Sequence, residues 1–314
     1  MENITLHKFP KLVDLKLLSM SAGLWGLANG IVYFSLPLYI LHNNGSLQDV
    51  GIVLSLQWVP VLLLQPFTKE IIQTFGNKLV IVNGCLIRAV SVVCLIYSLS
   101  LSNDLAVYFI CSILTLLTRL TDVALDTLVI ENTTVDDRPI IESYIQSSET
   151  FGLVVAPAIG GVAITYFSFV HMFILAFFLF LFSSLMSLYI FRKTFIIQTR
   201  KTLKNRPNPH KIYMWFIIDL IEITRNNATV RYFGLLNLSI NIFAGLLAAL
   251  HPYIMSTYYK LDAAFYGIVN SSAAILGFIA LAIGGKVITS MGYKRVFHYS
   301  WMLLSISILL MIMA

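Results

Sequence analysis

Apolar positions in this chain fall into long unbroken blocks, not the alternation of a strand or the one-sided stripe of a soluble helix. Nine blocks approach or exceed the roughly 20 residues that a helix needs to cross a hydrocarbon core: 17–41, 47–70, 79–101, 105–130, 144–166, 169–191, 230–258, 264–289 and 296–314. One long polar stretch, 192–229, separates the sixth from the seventh. It opens FRKTFIIQTRKTLKNRPNPHK and passes into IYMWFIIDLIEITRN, whose two-sided pattern predicts a helix lying along the membrane surface. The pattern predicts an all-α polytopic membrane protein in three parts. These are a six-helix bundle over 1–191, a basic linker with an amphipathic helix over 192–229, and a partial second bundle over 230–314. The first block is longer than a signal-peptide core and no cleavage site follows it, so it reads as the first span.

Composition sharpens this picture. The chain is 58% hydrophobic and 11% charged, with a mean hydropathy of +0.83, where a soluble domain carries about a quarter charged residues. The net charge of +6 raises the question of nucleic acid, and its placement answers it. Eighteen of the 21 lysines and arginines lie before the first block or after even-numbered blocks, one (Lys260) lies on the other side, and Arg88 and Arg119 lie within blocks. The positive-inside rule puts the N-terminus in the cytoplasm of a multi-pass protein of the cell membrane, a bacterial inner membrane by expectation. The expected partners are the lipid bilayer and a small-molecule substrate, with no nucleic acid. Cys85, Cys94 and Cys111 all fall in apolar runs, and no HExxH, paired-histidine or P-loop pattern occurs. No metal, no cofactor and no enzyme chemistry is expected.

The second and eighth blocks align. GIVLSLQWVPVLLLQPFTKEIIQTFGNK begins at Gly51 and GIVNSSAAILGFIALAIGGKVITSMGYK at Gly267, with 25 residues from Gly51 to Gly76 and from Gly267 to Gly292. Gly30 and Pro37 in the first block correspond to Gly245 and Pro252 in the seventh. These landmarks imply a parallel duplication of a six-helix unit, a known transporter plan. Ala314 then corresponds to Ser98, late in the third span, and a second half truncated after three helices is the expectation.

Six spans, a basic loop and further spans resemble the major facilitator superfamily. The family's signature between spans two and three, G-x3-D-[RK]-x-G-[RK]-[RK], meets KEIIQTFGNK at 69–78, where Gly76 and Lys78 fit while Lys69, Gln73, Thr74 and Asn77 depart. The second copy, GKVITSMGYK, keeps Gly285, Gly292 and Lys294, followed by Arg295. Antiporters of the superfamily carry G-x8-G-x3-G-P-x2-G-G in span five. The matching residues are Ser143, Gly152, Ala156, Pro157, Gly160 and Gly161. RLTDVALDTLVIENTTVDD and RNNATVRYFGLLNLSIN look like the macrolide- and siderophore-exporter branch. The resemblance implies a secondary transporter, monomeric and working by alternating access, that exports small amphiphilic compounds such as an antibiotic, siderophore or modified peptide in exchange for protons. An importer of the same fold and an inactive remnant or accessory membrane protein are the alternatives.

The residues themselves suggest where the chemistry lies. Ser148, Gly152, Ala156 and Gly160 recur every four residues, a close-packing stripe that reads as a hinge or seal against span eight, or as plain helix packing. Pro157 frees a carbonyl and permits a bend. Arg119, Asp122 and Asp126 share a stripe of span four; intramembrane charge is costly unless paired or hydrated, so they should face the interior. They read as a proton-coupling group or as a static ion pair. Arg88 needs an acidic partner on span four, Glu149 of span five, or an anionic substrate. Asn29, Tyr33, Gln57, Asn237 and Asn241 are sparse polar groups that either line a substrate cavity or tie helices together.

Overall fold

In the computed structural model the described residues are 12–43, 45–101, 104–133, 138–192 and 209–272, with residue 275 and short stretches between 290 and 306. They are helical with no strand among them, as the unbroken apolar blocks require, since in lipid a helix satisfies every backbone group within itself. The helices are α1 (Leu12–His42), α2 (Leu47–Leu56), α3 (Val59–Leu64), α4 (Thr68–Phe75), α5 (Asn77–Ser100), α6 (Asp104–Asn132), α7 (Arg138–Tyr166), α8 (Phe169–Phe191), α9 (Pro209–Asn226) and α10 (Ala228–Tyr253). A π-helical turn, Ile254–Tyr258, closes α10 just after Pro252, and a further helix runs over 263–272. The second apolar block is not one straight helix. Pro60 opens α3 and Pro66 sits in the 3-10 turn Gln65–Phe67, each proline lacking the N–H that would continue the ladder.

By length and composition, five segments among the described residues can cross a membrane: Lys16–His42, Leu47–Phe75, Asn77–Ser100, Tyr144–Tyr166 and Phe169–Phe191. The fourth expected span is the single helix α6, which carries Arg119, Asp122 and Asp126. Most of expected spans eight and nine, the linker from 193 to 208, Gly285 and Lys294 lie outside the described residues.

Helix α1 is the centre of the bundle. It runs parallel to α7, with Gly23 opposite Ser148, Gly26 opposite Glu149, Gly30 opposite Ala156 and Phe34 opposite Gly160. It runs antiparallel to α8, where Ser21 Oγ lies 2.9 Å from both Ser183 Oγ and Ser187 Oγ in a buried knot of hydroxyls. Helix α5 fills the space between α6 and α8; Ser184 Oγ donates to the Val82 carbonyl at 2.9 Å. The bundle therefore has a near end, where α1, α5 and α7 begin, and a far end, where they stop. At the near end Asn77 Nδ2 donates to Glu131 Oε2 at 2.9 Å, joining the start of α5 to the end of α6.

The duplication leaves a mark in the backbone. Gly76 has φ +83° and its counterpart Gly292 has φ +78°, the two positive-φ glycines among the described residues. This left-handed turn is where a Cβ is disfavoured, so the glycine persists while Gln73, Thr74 and Asn77 around the first copy depart from the signature.

The α1–α7 contact leaves no room for a side chain at Gly26 or Gly152. A Cβ on Gly26 would meet the Glu149 carbonyl, and one on Gly152 would meet the Gly23 carbonyl and the Leu27 backbone nitrogen, whereas a Cβ on Gly51 meets nothing within 4 Å. Gly26→Ala is expected to cost about 1–3 kcal/mol through overpacking, and Gly51→Ala to be neutral or to gain about 0.5–1 kcal/mol of helix propensity. Thermal unfolding of the two variants in detergent checks the contrast.

Candidate transport site

Three of the polar residues expected to line a cavity meet at one place. Asn29 and Tyr33 from α1 and Gln57, which caps α2, line a small cleft with Thr115, Cys111, Leu114, Val32, Leu36 and Phe180. The space inside holds little more than a single water. Helix α6 supplies the polar wall through a ladder at every third position: Ser112, Thr115, Thr118 and Thr121, all buried. Ser112 Oγ donates to the Leu56 carbonyl at 3.2 Å, and Thr115 Oγ1 to Gln57 Oε1 at 3.1 Å, with the Tyr33 hydroxyl 3.5 Å from Thr115 Oγ1. Thr118 Oγ1 donates to Asn29 Oδ1 at 3.4 Å. The ladder escapes a sequence reading because each hydroxyl also reaches its own i−4 carbonyl, as Thr115 does to Cys111 and Thr118 to Leu114; the three-residue period of LTLLTRLT is the signal that reveals it.

Below the cleft, toward the near end, sits Arg88, wholly buried. Its guanidinium donates to Thr118 Oγ1 and Thr121 Oγ1 at 3.4 Å and to Cys85 Sγ at 3.2 Å, while Nε donates to the Gly84 carbonyl at 3.2 Å. Its carbon lies 5.0 Å from the Phe180 ring centroid and 5.7 Å from that of Trp25. A buried cation of this kind is stabilised by ring quadrupoles and neutral oxygens; the expected direct pairing with a span-four carboxylate is not formed among the described residues. Asp122 and Glu149 nevertheless lie within electrostatic reach of it.

The charged stripe of α6 does not all turn inward. Arg119 pairs with Asp122 at 3.7 Å and lies 4.9 Å from the Trp58 ring centroid, with 49% of its side chain exposed. Asp122 is the more enclosed, and its Oδ1 is buried with no hydrogen-bond partner. Asp126 is exposed and lies within electrostatic reach of Glu142 of α7. Glu149, considered from the sequence as a partner for Arg88, lies within electrostatic reach of Arg88 and also of Asp122 and Arg119.

The span-five motif has two faces. Gly152, Ala156 and Gly160 pack on α1 within the same bundle, so the expected partner of the stripe, span eight, is corrected to span one; the recurrence every four residues defines a face but not the neighbour. The other face, Pro157 and Gly161, does meet the helix at 263–272: a Cβ on Gly161 would strike the Ala263 carbonyl, and one on Gly267 the Pro157 carbonyl. There the Ala158 N–H donates to Ser271 Oγ at 2.8 Å. Beyond this contact the far end is filled by Phe34 stacked on Tyr266, centroids 5.2 Å apart, with His251 edge-on to Tyr266 at 5.2 Å.

Asn237 and Asn241 are not part of this arrangement. They are exposed on α10, and Asn241 Nδ2 donates to Asn237 Oδ1 at 2.7 Å. Of the loop motif, Lys78 lies within electrostatic reach of Glu131 and Arg295 is exposed. Among the described residues no group of three or more His, Cys, Asp or Glu is placed to hold a metal ion.

The described residues thus form an α-helical bundle with a small polar cleft and charged side chains in its apolar interior. The family model of the Major Facilitator Superfamily matches residues 18–314, and the chain belongs to that family. A peptide transporter solved in complex with sulfate is similar in fold, with TM-score 0.60 and 14% identity over 89% of this chain and 69% of that one. So is a bacterial homologue of the iron transporter ferroportin in its inward-facing state, with TM-score 0.59 and 15% identity over 90% and 70%. A comparison with curated protein sequences finds no match. The chain is a multi-pass secondary transporter and not an enzyme.

Two substitutions test the geometry. Thr115→Val keeps the shape and leaves Gln57 Oε1 and Tyr33 without their shared partner, an expected loss of about 1–3 kcal/mol. Ser271→Ala removes a hydrogen bond between the two bundles, an expected loss of about 0.6 kcal/mol. Unfolding in detergent measures both, and the first should exceed the second.

Proposed function

We propose that the protein is a proton-coupled exporter of small amphiphilic compounds, of the macrolide- and siderophore-exporter kind, in a bacterial inner membrane with its N-terminus in the cytoplasm. The observation that carries this reading is the juxtaposition of an uncharged cleft with an intramembrane charge cluster, Thr118 bonding to Asn29 in one and to Arg88 in the other. Amide, hydroxyl and aromatic groups without fixed charge suit amphiphiles such as antibiotics, siderophores or modified peptides. Alternating access of a monomer fits the two-faced span five: one face holds α1 rigidly, the other makes a contact with the second bundle through small residues and one hydrogen bond. The span-five motif supports export, and the proton gradient supplies the energy.

Inverted membrane vesicles energised with an inward-acid gradient are expected to accumulate a fluorescent amphiphilic dye. Asp122→Asn is expected to abolish the gradient-driven part while the protein remains inserted and monodisperse. Gly160→Leu, whose side chain starts 3.0 Å from the Phe34 ring, is expected to lose transport as well. Dye movement in the opposite direction identifies an importer, and unchanged accumulation in Asp122→Asn removes proton coupling at that residue.

A further inference from the structure

Three consecutive residues of the second span meet one face of α6 in step. Ser112 Oγ donates to the Leu56 carbonyl at 3.2 Å, and Thr115 Oγ1 donates to Gln57 Oε1 at 3.1 Å. One turn further along α6, the Arg119 guanidinium carbon lies over the Trp58 ring, 4.9 Å from its centroid. Positions 112, 115 and 119 are three and four apart, so they share a helix face. The break between α2 and α3 makes this register possible. Gln57 closes α2, the Trp58 N–H turns back to the Ser55 carbonyl at 3.2 Å, and Pro60 stands in the first turn of α3. At such a break neighbouring side chains can part: Gln57 is buried in the cleft, while Trp58 is 39% exposed. The neutral cleft and the Trp58–Arg119 pair are therefore continuous.

Arg88 and Arg119 differ in what meets them. Arg88 is wholly buried, and oxygens and a thiol accept from its donors. Arg119 stands at the middle of α6 with half its side chain exposed, and none of its N–H donors is hydrogen-bonded among the described residues. Its approach to Asp122, 3.7 Å at Nη1, is longer than a hydrogen bond. An intramembrane cation in that state faces a water-filled path or a counter-charge, since bare exposure to hydrocarbon is costly. The Trp58 ring restrains the guanidinium without neutralising it, which leaves a fork of donors whose geometry matches a carboxylate. We propose that Arg119, held on Trp58, is the anion-recognising group of the transport site, and that the compounds carried bear a carboxylate on an apolar body. The carboxylate takes the guanidinium donors. A hydroxyl or carbonyl oxygen of the same compound enters the cleft at Thr115, Gln57 and Tyr33, where the space of little more than one water matches a single polar atom. This deepens the exporter reading, on which it rests, by giving the amphiphile its charge.

Dansylglycine and dansylglycinamide share a body and differ in the carboxylate, and each reports binding by its own fluorescence. Both are titrated at neutral pH into the purified full chain in nanodiscs of zwitterionic lipid, with empty discs as the baseline. The acid is expected to bind about tenfold more tightly than the amide, as one charge-assisted contact provides. Arg119→Gln is expected to bring the acid down to the affinity of the amide and to leave the amide unchanged, which also reports that the variant is folded. Trp58→Leu is expected to weaken the acid by about threefold and to spare the amide. Equal affinities in the wild type, binding of neither probe, or a preference that survives Arg119→Gln overturns the proposal. Parallel weakening of both probes in Arg119→Gln and Arg119→Lys marks a merely structural arginine and overturns it as well. Failure of the export reading has a different signature: wild-type vesicles move no dye, or move it the other way, while the preference for the acid and its loss in Arg119→Gln hold.

Discussion

No methyl group fits at Gly26 or Gly152, where α1 meets α7, and the site depends on that fact. Gly23, Gly26 and Gly30 on one helix and Gly152 and Ala156 on the other bring two backbones into van der Waals contact over about two turns. Lipid offers no hydrophobic drive for helices to associate, so close dispersion contact between small residues is what holds them. The same contact fixes the residues interleaved with the glycines. Trp25 and Asn29 alternate with Gly26 and Gly30, so the indole, the amide and Glu149 are set by a rigid seam and not by flexible loops.

Burial of Arg88 is the second constraint. A guanidinium at mid-membrane is tolerated only when its donors are met, and here neutral oxygens, a thiol and two ring faces meet them. Among the described residues no carboxylate bonds to it directly, so its place in the bundle does not depend on Asp122 or Glu149. A direct buried ion pair would lock both partners, because removing one charge strands the other. The serine knot at Ser21, Ser183 and Ser187 performs a similar structural task with no charge at all.

Much of this was legible in the sequence, for reasons that differ by residue. The helical class followed from block length alone, and the first six blocks are helices, with two prolines breaking the second. Asn29, Tyr33 and Gln57 stood out because polar side chains are rare in apolar runs, and they do converge. Glu149 was visible as a charge, but its reach to Asp122 depends on how α7 sits in the bundle, which spacing within one helix does not encode. The span-five stripe was legible as a face, while its neighbour was not: a run of small residues says that something packs closely and leaves its identity to topology. Asn237 and Asn241 look the same as Asn29 in a sequence, yet satisfy each other along their own helix.

The contact between Ala158 and Ser271 has an asymmetry of its own. Its donor is a main-chain N–H, present whatever side chain stands at 158 and removable only by a proline there. Its acceptor is one hydroxyl. Mutation therefore has a single handle on this hydrogen bond between the bundles, residue 271, where serine, threonine or alanine would grade its strength without disturbing span five. Relatives that cycle at different speeds would be expected to differ at that position before they differ in the proline motif opposite it.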